Sequence, residues 1–237
     1  MKEKFLVTTE EMRRYDGNTI KQLKLPAAVL MERAALSVVQ QLKKRFGDLQ
    51  DKRILVLCGG GNNGGDGMAV ARLLLEEGIS PEVAAFVPQD KFSQDTALQW
   101  EILKAYEPVI NPNFEASEYD IVIDALLGTG CSRAPEGILA AWIRAVNASR
   151  AFVAAVDIPS GVCASSGRVY EPAVKADLTI TFGFAKRGLY LYPGKAYTGE
   201  VVCTAIWITE RSLCGELPRR TSLKNGGQLP LPTGDPF

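Results

Sequence analysis

The sequence predicts an α/β protein, a doubly wound and mostly parallel sheet with extra helices ahead of it. Three observations carry this. Short apolar runs alternate with segments of helical periodicity. Runs such as Arg53-Ile-Leu-Val-Leu-Cys58 are apolar almost throughout, which suits parallel strands covered on both faces. The first of them stops at a glycine-rich turn, and folds of this class bind ligands at the carboxyl ends of their strands.

The elements follow in order. Thr8-Thr-Glu-Glu11 is a capping box and predicts a helix running towards Leu23. Pro26 stands at a helix start, and Val29, Leu30, Ala34, Val38, Val39 and Leu42 recur at helical spacing until Gly47 ends the segment. Within it, Met31-Glu-Arg-Ala-Ala35 reads either as a solvated face or as a surface against a ligand or second subunit. Arg53–Cys58 is the first strand of the body. A loop over Gly59–Gly67 and a helix from Met68 to about Glu77 come next, with Gly78 as a stop. Strand Val83–Val87, helix Ser93–Tyr106, strand Tyr119–Leu126, loop Leu127–Gly137 and helix Ile138–Asn147 follow. Three more strands are predicted at Phe152–Asp157, Leu178–Gly183 and Val201–Trp207, with an irregular stretch over 162–175. The chain is thus expected to form one domain over residues 1–212 and a Pro/Gly-rich, disordered tail over 213–237.

Composition narrows the function. The 237 residues carry 27 basic and 27 acidic side chains, so there is no electrostatic case for nucleic acid or an anionic membrane. No apolar run reaches the roughly 18 residues of a membrane span, and the N-terminus turns polar too early for a signal peptide. The five cysteines include no C-x-x-C pair, which points to a reduced, cytoplasmic protein. Histidine is absent, so acid–base chemistry falls to carboxylates, lysine, tyrosine or cysteine.

Six of the nine residues from Gly59 to Gly67 are glycine, and the others are Asn62, Asn63 and Asp66. Glycine permits positive φ and close approach of a ligand to the backbone, and a helix start suits phosphate. Gly59, Gly61 and Gly64 spell G-x-G-x-x-G. The acid that completes the dinucleotide fingerprint at the second strand end is missing, because that strand runs into Pro88-Gln89. No Gly-Lys-Ser/Thr makes it a P-loop either.

Polar residues collect at the other strand ends: Asp124 and Thr129 after the third, Asp157 and Ser160 after the fourth, Lys186 after the fifth. Each has a plain structural role available, as a cap, a turn acid or a solvated charge. Together they mark one site. Asn63, Asp124 and Ser160 offer oxygen ligands with a single carboxylate, which suits a weakly charged hard cation such as potassium.

The motifs Met31–Ala35, Gly59–Gly67, Asp124-Ala-Leu-Leu-Gly-Thr-Gly130, Asp157-Ile-Pro-Ser-Gly161 and Phe182–Leu189, in this order over about residues 5–212, resemble the NAD(P)HX epimerases, the YjeF amino-terminal domain family. The resemblance implies a Rossmann-like fold with extra N-terminal helices, often as a homodimer. It implies epimerisation at C6 of the hydrated nucleotides NADHX and NADPHX, upstream of an NAD(P)HX dehydratase. It implies that Asn62, Asn63, Gly64, Gly65 and Asp66 bind the nucleotide, and that Gly128, Thr129, Gly130, Cys131, Ser132, Arg133 and Ala134 hold its phosphates. Asp157 would meet the hydrated ring, and Asn63, Asp124 and Ser160 a potassium ion. Asp157 is the expected acid–base group, with Lys186 and Thr129 positioning or stabilising charge. No dehydratase domain is evident, so dehydratase activity is not expected. The rivals are a non-catalytic nucleotide-binding or interaction module of the same fold, and an NAD(P)-dependent oxidoreductase.

Overall fold

A computed structural model describes residues 5–218. Its main sheet has seven strands, all parallel: β2 (Ile54–Cys58), β3 (Glu82–Ala85), β4 (Val109–Ile110), β5 (Ile121–Ala125), β6 (Phe152–Val156), β7 (Leu178–Phe182) and β9 (Glu200–Thr204). They lie in the order β4-β3-β2-β5-β6-β7-β9, so the winding reverses between β2 and β5. That register sets Leu57 beside Asp124 and Cys58 beside Ala125 at the carboxyl edge.

Alternation within the apolar runs decides which face each residue covers. From β2, Ile54, Val56 and Cys58 enter the core shared with α2 (Ala27–Phe46) and α3 (Asn62–Glu76). Leu55 and Leu57 enter a second core with Trp142, Ile143 and Val146 of α5 (Gly137–Ala148). α4 (Gln94–Lys104) packs beside α3. Between β6 and β7 the chain has no helix; Ile158, Val162, Ala173 and Leu189 form a small core there instead. Among the described residues, no helix is long and apolar enough to cross a membrane.

The capping box at Thr8 forms as expected and starts α1 (Thr9–Lys21). Two expectations need correction. The helix after β2 begins at Asn62, not Met68, so six of the residues read as loop are its first turns. The last strand spans Glu200–Thr204 and ends before Ile206 and Ile208, which turn into the cavity described below. Two features carried no legible signal: the edge strand β4, only two residues between Pro108 and Asn111, and a separate parallel pair joining β1 (Leu6–Val7) to β8 (Ala185–Lys186). The expected tail begins at 213, yet Leu213 is buried and Glu216 pairs with Arg14 of α1. Residues 219–237 lie outside the described part.

Candidate active site

A cavity of about 840 Å³ opens at the carboxyl ends of β2 and β5, where the winding reverses. α1 and α2 roof it, and Asn62, Asn63, Asp66, Thr129, Asp157 and Lys186 reach its wall. Stretches far apart in the sequence therefore meet at one place.

The turn after β2 is shaped by close packing. No glycine from Gly59 to Gly67 has positive φ. A Cβ on Gly59 would lie 1.9 Å from the Leu126 carbonyl oxygen, and one on Gly64 would lie 1.9 Å from that of Gly59. Gly67 abuts Ala125, and Gly65 abuts Met31 and Thr96. Gly64 and Gly65 are thus buried in packing and do not reach the cavity wall. The first helical hydrogen bonds run from the Gly64 and Gly65 N–H groups to the Gly61 carbonyl, so the N–H groups of Asn62 and Asn63 precede the helical ladder, as at any helix start. Gly61 has open space where a Cβ would be. The start of α4 braces this turn. Ser93 N–H donates to the Gly60 carbonyl (2.8 Å), Thr96 Oγ1 donates to the Gly61 carbonyl (2.8 Å) and Ser93 Oγ donates to Asn62 Oδ1 (2.7 Å).

Thr129 is half-buried, and its carbonyl accepts from Thr9 Oγ1 at the start of α1 (3.3 Å). Gly128, Gly130 and Cys131 also line the main cavity. Ser132, Arg133 and Ala134 line an adjoining space of about 750 Å³ that reaches α5 and shares Leu127, Gly130 and Cys131 with the first. At the end of β3, where a ribose-binding acid would stand, Phe86 and Val87 face the cavity.

Asp124 is fully buried. It accepts from the Ser160 hydroxyl (2.6 Å) and N–H (2.8 Å) and from the Leu126 N–H (3.2 Å). Burial pushes its carboxyl up to about 6, while the Ser160 and Leu126 bonds pull it down. Among the described residues, no basic side chain contributes to this balance. Nearby, the amide nitrogen of Asn63 is buried without a hydrogen bond. Turning that amide about its last bond would place its oxygen at the same spot. A buried carboxylate with no positive partner, a hydroxyl and an unmatched amide fit a monovalent cation. The described residues hold no cluster of three or more His, Cys, Asp or Glu that would suit a more highly charged ion.

Asp157 follows β6 with φ 68°, a left-handed backbone that few non-glycine residues adopt. Its N–H donates to the Ile180 carbonyl (2.8 Å), which ties the turn to β7. Lys186 Nζ donates to Asp157 Oδ1 (2.5 Å), Thr181 Oγ1 (3.0 Å) and the Phe182 carbonyl (2.9 Å). Thr181 Oγ1 donates to the same Oδ1 (3.1 Å). Both contacts fall on Oδ1, so Oδ2 remains for a ligand. The Lys186 side chain is only 2% exposed and that of Asp157 15% exposed. The lysine is a fixed, buried charge, not a solvated one.

Asp16 on α1 also reaches this cavity, and nothing singled it out in the sequence. A signal was present. Met12, Asp16 and Ile20 are four residues apart and all line the cavity, so a carboxylate interrupts an apolar helical stripe. Burial raises the Asp16 carboxyl, with Asp95 and Asp157 adding to the rise and Lys186 opposing it. Asp66 is raised well above the ordinary carboxylate range by burial, then by the charges of Asp157 and Asp16. The Met31–Ala35 segment serves packing and the site together. Met31 and Ala34 line the cavity, Glu32 pairs with Arg72, and the Arg33 guanidinium lies 4.3 Å over the Trp207 ring.

This fold and site define a doubly wound protein with a nucleotide-sized cleft at its switch point and an acid–lysine pair at the cleft floor. The chain belongs to the family described as YjeF-related protein N-terminus, whose match covers residues 27–188. It is 40% identical over 197 residues to the NAD(P)H-hydrate epimerase of Limosilactobacillus fermentum, covering 83% of this chain and 94% of that protein. It is 35% identical over 218 residues to the bifunctional NAD(P)H-hydrate repair enzyme Nnr of Moorella thermoacetica, covering 87% of this chain and 41% of the relative. A crystal structure of the yeast protein YNL200c superimposes with a TM-score of 0.71 at 20% identity, covering 84% of this chain and 87% of that one, and so shares the fold.

Proposed function

We infer that this chain is an NAD(P)H-hydrate epimerase, an isomerase that interconverts the R and S forms of hydrated nicotinamide nucleotides at C6 of the ring. Relatives of that name align over most of their length with this chain. The observation that carries the reading to a chemistry is the Asp157–Lys186 pair, largely buried on the wall of the switch-point cavity, with both hydrogen bonds to the Asp157 carboxylate falling on Oδ1.

The reaction needs a planar C6. The C6–O bond breaks with its electron pair on oxygen, a proton converts the departing hydroxide to water, and the ring nitrogen lone pair forms an iminium. Water then adds to either face and returns a proton. Asp157 is the acid–base group for these transfers. Lys186 fixes its orientation and, with Thr129, stabilises charge and positions the substrate. Asn62 to Asp66 bind the nucleotide through the start of α3, and the segment Gly128–Ala134 holds the phosphates between the two cavities. Because the second strand ends in Phe86 and Val87, the 2′ position meets no acid, which suits acceptance of both NADHX and NADPHX.

Asn63, Asp124 and Ser160 would hold a potassium ion, which when bound supplies the positive charge that the buried Asp124 carboxylate lacks. The protein acts in the cytoplasm, consistent with the thiols Cys58, Cys131 and Cys163, none of which is in a disulfide. It works as a homodimer and in series with an NAD(P)HX dehydratase, an activity pairing suggested by the bifunctional name of the Moorella relative.

The test is R/S exchange in purified NADHX epimers, followed by NMR or chiral chromatography. The enzyme should speed exchange with no change in oxidation state. Absence of exchange would favour a non-catalytic module, and a change in nicotinamide absorbance an oxidoreductase.

A further inference from the structure

The carboxylates around Lys186 outnumber it. Asp16 of α1, Asp66 of α3 and Asp157 after β6 line one cavity, and their charges act on one another and on the same buried ammonium. Asp95 of α4 adds a further negative charge nearby, although its carboxylate also accepts from the Asn62 amide (3.2 Å). The other cations on the cavity wall are Arg13 and Lys91, both solvent-exposed. Arg13 stands over Gly130, where it faces the phosphate segment.

Asp16 gives nothing to the fold. Among the described residues it has no hydrogen bond and no ion pair. It interrupts the Met12–Ile20 stripe, and burying its charge beside two other acids works against folding. A group that costs stability and lines the cavity without a bonded partner is suited to something that enters the cavity. A cation fits, and the reaction makes one. When the C6–O bond breaks and hydroxide leaves as water, the neutral ring becomes an iminium with one positive charge shared by N1 and C6.

We propose that Asp16 is a catalytic residue whose carboxylate, with that of Asp157, stabilises this cationic ring. The role rests on the epimerase reading. Fixed charges aimed at developing charge, in a site sheltered from water, are the strongest kind of electrostatic catalysis. The Lys186 ammonium and the Asp157 carboxylate that it holds offset each other, so the Asp16 carboxylate sets the sign of the local field.

Oxidised NAD⁺ carries a planar ring cation at N1, whereas the NADH ring is neutral, so the two probe this field without turnover. Titration calorimetry of the full chain should show tighter binding of NAD⁺ than of NADH. Asp16→Asn should weaken NAD⁺ about tenfold and NADH less than twofold, slow R/S exchange through kcat with KM little changed, and leave the protein no less stable. Asp16→Ala, in a helix that favours alanine, is the second variant should the first fail to fold. Wild-type protein that does not prefer the cation, or variants that lose both nucleotides equally, would overturn the role of Asp16 while leaving the epimerase reading in place. Failure of the wild type to exchange epimers would remove that reading, and this role with it.

Discussion

The turn after β2 and the first turns of α3 contain six glycines, and the turn after β6 opens on an aspartate, yet it is the aspartate that has a left-handed backbone. The glycines keep ordinary φ. They are small because Leu126, Ala125 and the turn itself come too close for side chains. Asp157 could relax if it were glycine, but only a carboxylate can hold Lys186 and reach the cavity. In one turn the side chain is removed so that the backbone can pack. In the other, backbone strain of about 1–3 kcal/mol is tolerated so that a side chain can be aimed. Glycine content therefore marks where the chain is tight, and the misfit residue marks where it is chemically active.

Asp157→Asn should have the largest effect, lowering R/S exchange by about 10²–10⁴-fold. Asparagine tolerates the left-handed backbone, so the loss belongs to the carboxylate. It also leaves the buried Lys186 without its counter-charge, at about 3 kcal/mol in chemical denaturation. Asp157→Asn combined with Lys186→Met should recover most of that stability and none of the activity. Recovery of exchange in the double variant would sink the assignment of Asp157.

Gly64→Ala comes next. Its Cβ would meet the Gly59 backbone, which has no flexible end to yield, so a loss of about 3 kcal/mol or more is expected, read as a lower denaturation midpoint. Full stability would mean that the turn is looser than its contacts imply. A pH titration of stability probes the acid cluster. The native carboxyls of Asp16 and Asp66 are raised, so their protonated forms suit the fold. The stability linked to them is fully present below the unfolded value of about 4 and is lost as pH rises through the native values. Asp66→Asn should flatten the decline of melting temperature with rising pH; an unchanged profile would place the proton elsewhere. Gly61→Ala should have the smallest effect on stability, within about 1 kcal/mol, because nothing occupies the space. Its cost should fall on nucleotide affinity instead, measurable by calorimetry.

Much of this architecture was legible in the sequence because its signals are local. The Thr8 box, the apolar stripe of α2, the Gly47 stop and the buried β2 run each follow from a few adjacent residues. The strand-end positions of Asp124, Asp157, Ser160 and Lys186 follow from the same runs. The rest depends on contacts between distant segments. Asn62 starts α3 because Ser93 and Thr96 fix the turn before it, some 30 residues away in sequence. β1 and β8 are two residues each and exist only through one another. Asp16 was hidden because an acid on a helix ordinarily faces water, and the roof over the cavity had no sequence signature of its own.

The pairing of Val7 with Lys186 has a consequence for how the enzyme comes into being. The lysine that holds Asp157 is bound to a segment far ahead of it in the sequence, and α1 is tied in turn to Thr129, Ser165 and Glu216. Such distant partners are slow to find each other. The seven-stranded sheet does not include the β1–β8 pair, so the active centre is expected to close after that sheet has wound. Heat-damaged protein would then lose activity before it loses the sheet, and a change at Leu6 or Val7 would be felt first at the lysine.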